Sequence, residues 1–140
     1  MTILDTDILT LYAMGNEKVG RQVHDAGGPE QLAVTLISRM EILRGRFDGI
    51  LKAADESQLR VAMQRFLEAQ DMLNSFSTLL VSDEATQHFT SLKKHKKAKK
   101  MRRADMLIAC IALAHGELLV TRNIKDYKDV PDLRVENWAD

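Results

Sequence analysis

The chain has 140 residues, 45% of them hydrophobic, with 20 basic side chains against 20 acidic ones. That length fits one domain, residues 1–140, large enough to bury a core without covalent staples. One cysteine excludes an internal disulfide, and the longest apolar run, Met106 to Ala114, is about half of what a membrane span needs.

The N-terminal stretch is interrupted by Asp5 and Asp7, so no secretory signal reads there, and the expectation is a soluble, cytoplasmic protein with no membrane partner. The zero net charge hides an asymmetry. Eight of the eleven residues from Lys93 to Arg103 are Lys or Arg and none is acidic, which leaves the remainder acidic.

In chain order, Thr2 to Leu4 reads as a short strand ending at Asp5. Ile8 to Met14 reads as a helix stopped by Gly15, and Glu17 to Ala26 as a second helix closed by Gly27-Gly28-Pro29. Leu32 to Leu36 is a β-branched strand candidate. A helix begins near Ser38 and ends by Gly45 to Gly49. Residues 54–74 form a long helix, with Leu59, Met63, Phe66, Leu67 and Met72-Leu73 near a 3.6-residue period. Thr78 to Val81 is a third strand, followed by a helix from Asp83 to about Lys97 with Phe89 and Leu92 on its apolar side. Ala104 to Ala114 is apolar nearly all round and should be a buried helix, with Cys110 in its core face. Leu118 to Thr121 is a fourth strand and Leu133 to Val135 a possible fifth. Alternating strands and helices predict an α/β fold with a short, mainly parallel sheet of four or five strands covered on both faces.

In such sheets the ligand crevice lies beyond the carboxyl ends of the strands. Asp5, Thr6 and Asp7 follow the first strand, Ser38 to Glu41 the second, and Asn123 to Asp126 the fourth, while Asp105 opens the buried helix. Each acid has a plain structural role open to it: Asp7 as a helix cap, Ser38-x-x-Glu41 as a capping box, Asp105 as a partner of the helix dipole, Asn123 and Asp126 as turn residues. Four independent caps, all on the ligand-facing edge, are the less economical account. Carboxylates within about 4 Å of one another repel by about 4 kcal/mol per pair at intermediate dielectric, so a fold that gathers them predicts a cation. The donors are hard oxygens and no His or Cys pair has metal spacing, which favours Mg²⁺ or Mn²⁺ over zinc.

The segments ILDTDILT, VTLISRMEILRG, RRADMLIACIALAHGELLVTRNIKDY and LRVENW resemble, in order, the PIN domain, and in particular the VapC-type toxins of bacterial toxin–antitoxin pairs. The most specific stretch runs from Asp105 to Asn123. The resemblance implies a three-layer α/β/α fold and a Mg²⁺- or Mn²⁺-dependent endoribonuclease. Such an enzyme hydrolyses RNA by metal-activated water to leave 5′-phosphate and 3′-hydroxyl ends. It implies a cognate antitoxin and a homodimer as well. By position, Asp5, Glu41 and Asp105 match the family's first three acids and are the implied metal ligands. The fourth acidic position is Asn123, an amide, for which Asp126 is a nearby substitute. Asp7 stands where the family usually has Asn, and Thr6 and Thr121 match hydroxyl residues that orient the ligands. A PIN nuclease acting in RNA maturation or on DNA flaps, or an inactive PIN module used for binding, would share these features.

The basic run carries a second expectation. Lys96, Lys97, Lys99, Lys100, Arg102 and Arg103 are candidate contacts to the RNA backbone, the alternative being a solvated helix end. The four histidines carry no catalytic assignment. His115 before Gly116 suits a helix C-terminus, Trp138 covers a sheet edge or the core, and Met63 and Met72 read as packing, with an antitoxin-binding groove as the alternative.

Overall fold

The computed structural model describes all 140 residues. Five short strands, β1 (Ile3–Leu4), β2 (Ala33–Thr35), β3 (Ser77–Leu79), β4 (Leu119–Val120) and β5 (Val135–Glu136), form one sheet in the order β3-β2-β1-β4-β5. Every pairing is parallel, with Ile3 beside Ala33 on one side and Leu119 on the other. The sheet is thus wholly parallel, and a fifth strand is present, shifted from Leu133–Val135 to Val135–Glu136.

Six helices cover it: α1 (Thr6–Ala13), α2 (Glu17–Asp25), α3 (Leu36–Leu51), α4 (Glu56–Asn74), α5 (Asp83–Lys94) and α6 (Arg103–His115). Alternation along the strands divides the core. Ile3, Ala33 and Leu119 point to the side filled by α5 and α6, with Ile108, Ile111 and Tyr127 around them. Leu4, Val34 and Val120 point to the other side, against Ile8 and Leu9 of α1, Val19 and Val23 of α2, Leu73 of α4, and Trp138. This is the three-layer arrangement. The expected burial of α6 holds, since Met106 and Ile108 through Ala112 are all buried, Cys110 among them. Its end follows the expectation too: Gly116 adopts φ 62°, ψ 30°, the left-handed conformation that closes a helix.

Four local expectations need correction. First, α3 does not stop at Gly45 to Gly49 but continues to Leu51. A glycine inside a helix costs only about 1 kcal/mol relative to alanine, and packing of α3 along α4 offsets it. Second, α3 starts at Leu36, with Thr35 as its cap: the Thr35 hydroxyl accepts the Ser38 N–H at 3.1 Å. Ser38 is therefore already inside the helix, and Glu41 makes no capping box.

Third, α5 ends at Lys94 rather than Lys97. The His95 ring Nδ1 accepts the N–H groups of Lys97 (3.2 Å) and Ala98 (3.0 Å), and turns the chain into a 3-10 turn over Ala98–Lys100 anchored by the buried Ala98. The basic run therefore spans the end of α5, this turn and the first residue of α6, and is not one continuous helix end. Fourth, the apolar stripe of α4 is not all core. Leu73 is buried, but Leu59, Met63 and Leu67 are exposed, as are Phe47 and Leu51 on α3. The packing role read for Met63 does not hold, whereas Met72 does pack against the second core cluster. No helix is long and apolar enough to cross a membrane.

Candidate active site

The order of the strands reverses direction at β1. The chain builds β2 and β3 on one side of it and then places β4 and β5 on the other. Loops leaving neighbouring strands there run apart and open a crevice. The hollow at this place has a volume of about 340 Å³ and no hydrophobic residue in its lining. Its walls are Asp5, Thr6, Asp7, Glu41, Arg102, Asp105, Asn123 and Asp126. Asp5, Thr6, Asp7, Glu41, Asp105, Asn123 and Asp126 are thus brought together as the sequence predicts, Ser38 and Thr121 are buried next to them, and one cation, Arg102, joins them.

Asp5 leaves β1 as the cap of α1. Its Oδ1 accepts the Thr6 N–H at 2.8 Å, and its Oδ2 accepts the hydroxyls of Thr121 and Tyr127, each at 2.9 Å. The side chain is almost wholly buried. Burial, and then the neighbouring charge of Asp7, push its pKa up to about 6, although all three donors pull the other way. Desolvation wins because few hydrogen bonds replace the water that a carboxylate loses. Asp7 lies in the first turn of α1 and is built the same way. Its Oδ1 accepts the Ile8 N–H at 2.7 Å, and its Oδ2 accepts the Arg122 N–H and the Asn123 side-chain amide, both at 3.1 Å. Its pKa is also raised, chiefly by burial. Asp7 does not cap α1, because Asp5 does.

Glu41, one turn into α3, points back over the end of β1. The Thr6 hydroxyl donates to its Oε1 at 2.8 Å, and the Ser38 hydroxyl lies 2.9 Å from the same Thr6 oxygen. Thr6 and Ser38 thereby hold Glu41 to α1. Asp105, in the first turn of α6, faces it across the hollow. The Arg102 guanidinium spans the gap, with Nη1 3.0 Å from Glu41 Oε2, Nη2 2.8 Å from Asp105 Oδ1, and Nε 3.3 Å from Asp105 Oδ2. Hydrogen bonds to Asp105 and Glu41 hold the Arg102 pKa above its already high value, so it is always charged.

Tyr127 completes the floor. Its hydroxyl donates to Asp5 and lies 3.5 Å from Asp105 Oδ1, so one group touches the carboxylates of β1 and α6 together. Burial, and then the charges of Asp5 and Asp105, drive its pKa up, which keeps the proton on the oxygen as a donor. Asn123 serves Asp7 through its amide, and the Asp126 carboxylate stands in the hollow without a hydrogen-bond partner.

Sequence reasoning placed seven of the eight lining residues and missed two parts. Tyr127 sits in the quoted segment IKDY, one residue past Asp126, but nothing in its spacing says that its ring turns inward. In the sequence Arg102 reads as an RNA contact; of its two carboxylate partners Asp105 is three residues on, but Glu41 is 61 positions away.

The donor set suits a hard divalent cation, since all of it is carboxylate and amide oxygen at the mouth of a polar hollow. As the side chains stand, no three acidic, histidine or cysteine residues are disposed about one point as a metal cage. Both oxygens of Asp105 face the Arg102 guanidinium, and both oxygens of Asp5 face the Thr6 N–H and the hydroxyls of Thr121 and Tyr127.

Of the other basic residues, Lys96, Lys97, Lys99 and Lys100 are exposed and form no ion pair. Arg103 and Lys93 lie over the Phe89 ring, at 5.0 and 5.4 Å from its centroid. The run leads directly to the hollow through Arg102.

No family model matches the chain. It is 25% identical over 143 aligned positions to Ribonuclease VapC1 of Haemophilus influenzae, an alignment covering 98% of this chain and 97% of that protein. Among solved structures, VapBC2 from Rickettsia felis, bound to a DNA fragment from its promoter, matches with a TM-score of 0.79 at 22% identity, covering 98% of both chains. A toxin–antitoxin complex from Klebsiella pneumoniae matches with a TM-score of 0.69, again at 22% identity, covering 95% of both chains. The chain shares the fold of these proteins from end to end.

Proposed function

We propose that this chain, similar along nearly its full length to the VapC ribonucleases and built on their PIN-like fold, is a Mg²⁺- or Mn²⁺-dependent endoribonuclease that acts as the toxin of a toxin–antitoxin pair. The observation that carries this reading is the meeting of Asp5, Glu41 and Asp105, from three separate elements, in one polar hollow at the point where the sheet reverses order. A capping role accounts for neither Glu41 nor the second oxygen of Asp5.

Asp5, Glu41 and Asp105 would hold the ion, with Asp7 and Asp126 adding negative charge beside them. The chemistry such an ion would supply, if bound there, is acidification of a water and offset of charge on the phosphoryl oxygens. The chain's own groups orient the ligands. Thr121 and Tyr127 fix Asp5, Thr6 fixes Glu41, and Asn123 with the Arg122 N–H fixes Asp7. A buried carboxylate raised to about 6 is still mostly ionised at neutral pH and gains from a cation what burial costs it.

Lys96, Lys97, Lys99 and Lys100 form the backbone-binding approach, since they are exposed, unpaired and continuous with the hollow. Contacts of this kind fix the strand's position and carry no base information. Phe47, Leu51, Leu59, Met63 and Leu67 on α3 and α4 leave an apolar surface on a chain of this size. An antitoxin segment or a second protomer of a homodimer would cover it. The toxin–antitoxin structures sharing the fold support the first occupant.

The direct test is cleavage of total RNA and of single-stranded DNA by the purified chain in Mn²⁺ and in EDTA. The reading expects RNA to be cut only with metal, and an Asp105→Asn variant to lose at least about a hundredfold in rate, as removal of a group stabilising transition-state charge does elsewhere. Cleavage by folded Asp105→Asn at the wild-type rate would refute the assignment.

A further inference from the structure

Arg102 is the one cationic side chain in the hollow, and it grips two of the three carboxylates read as metal ligands. A guanidinium set 2.8 and 3.3 Å from the two oxygens of Asp105 occupies the sector through which that carboxylate would meet an ion. Glu41 gives one oxygen to Arg102 and keeps the other on Thr6. Asp5 is held by the Thr6 N–H at the wall and by the hydroxyls of Thr121 and Tyr127 beneath it, none of them Arg102. Loss of Arg102 would therefore leave Asp5 and Glu41 oriented and free one face of Asp105.

The arginine is also easy to move. It stands at the N-cap position of α6, where its side chain makes no capping bond, and that side chain is 59% exposed. Its swing would open neither the helix nor the core. Exposed ion pairs are weak, even though a two-pronged one is stronger than most.

We propose that Arg102 exchanges partners. It bridges Glu41 and Asp105 while no divalent ion is bound, and it turns to a phosphate of the substrate once an ion takes those carboxylates. This deepens the reading above and rests on it. The exchange follows from charge. A divalent ion and a guanidinium repel at this separation, and a guanidinium that has lost its carboxylates matches a phosphate oxygen pair equally well. The adjoining lysines hold the same strand of nucleic acid, so the freed Arg102 meets an anion at the mouth of the hollow. The arginine offsets the repulsion between Glu41 and Asp105 until an ion does so, and then becomes a substrate contact.

The test is Mn²⁺ binding by calorimetry to the metal-free full chain, as wild type, Arg102→Gln, Arg102→Lys and Arg103→Gln. Arg103 carries the same charge next door but lies over Phe89, so it controls for the general field. Exchange predicts that Arg102→Gln tightens Mn²⁺ binding about three- to tenfold, as loss of a competing exposed ion pair allows. Arg102→Lys, which keeps the charge and loses the fork, falls between, and Arg103→Gln matches wild type.

In parallel, the Arg102 Nε–H resonance is followed by NMR in wild type. It shifts on Mg²⁺ addition with the midpoint of binding, and shifts again with dimethyl phosphate only when Mg²⁺ is present. Unchanged Mn²⁺ affinity in Arg102→Gln, equal tightening in Arg103→Gln, or a resonance indifferent to Mg²⁺ or to dimethyl phosphate would overturn the exchange while leaving the cation site standing. Absence of Mn²⁺ binding in every variant would overturn both.

Discussion

Replacing Asp5 by Asn should make the metal-free protein more stable. Asp5 is 6% exposed and its pKa is raised from 3.8 to about 6. At about 1.4 kcal/mol per pKa unit, the ionised group costs the folded state about 3 kcal/mol at neutral pH. The sign follows from proton uptake. Between about pH 4 and 6 the folded chain holds this proton more tightly than the unfolded chain does, so the penalty is absent below that window, grows through it and is complete above it. Asparagine removes the charge but turns an amide N–H₂ toward hydroxyls that now donate to a carboxylate. Rotation of Thr121 and Tyr127 to accept instead recovers part of that loss, which leaves a net gain of about 2 kcal/mol. For a chain of this length that is about 6 °C in Tm. The assay is thermal unfolding of both proteins in EDTA at pH 7.5 and pH 4. The variant should be more stable at pH 7.5, and at pH 4 that advantage should be lost or slightly reversed, because the charge penalty is gone and only the amide's poorer hydrogen bonding remains. Saturating Mn²⁺ at pH 7.5 should then stabilise wild type and not the variant. A less stable Asp5→Asn at pH 7.5, or a gain that persists unchanged at pH 4, would refute the claim that a buried charge is the cause.

Two further outcomes follow from the surroundings of Asp5. Tyr127→Phe removes a hydroxyl that lowers the Asp5 pKa, so a carboxyl-specific infrared or NMR titration should find Asp5 titrating higher, with Mn²⁺ affinity reduced several-fold; an unmoved titration would show that the hydroxyl does not hold Asp5. Changing Lys96, Lys97, Lys99 and Lys100 to Gln should flatten the dependence of log RNA affinity on log salt by about 0.7 for each lysine that contacts a phosphate. An unchanged slope would return the run to a merely solvated loop.

Most of the scaffold was legible because it obeys local rules. Apolar strands end at acids, α6 is apolar all round, and Gly116 supplies the left-handed residue that closes it. The grouping of Asp5, Glu41 and Asp105 in one hollow was legible for a topological reason: each follows a strand or opens a helix at the same edge of the sheet. What escaped lies in contacts that have no period. The start of α3 was misplaced because Thr35 and Ser38 are both good caps, and only the end of β2 decides between them. His95 closes α5 through its ring, which no helix-end rule supplies. The apolar stripe of α4 has the same spacing whether it faces a core or leaves a surface bare. Met63 shows that period alone does not say which. Tyr127 and Arg102 reach the hollow through side chains whose direction is set by packing, and those two fix the electrostatics of the site.

The most direct measurement is the position of Mn²⁺ in crystals of the metal-loaded protein, read from its anomalous scattering. The account predicts a strong peak within coordination distance of carboxylate oxygens of Asp5 and Asp105, with Glu41 bound directly or through one water and Arg102 swung away. A saturating Mn²⁺ soak that leaves Arg102 clamped between Glu41 and Asp105, with no peak in the hollow, would contradict it.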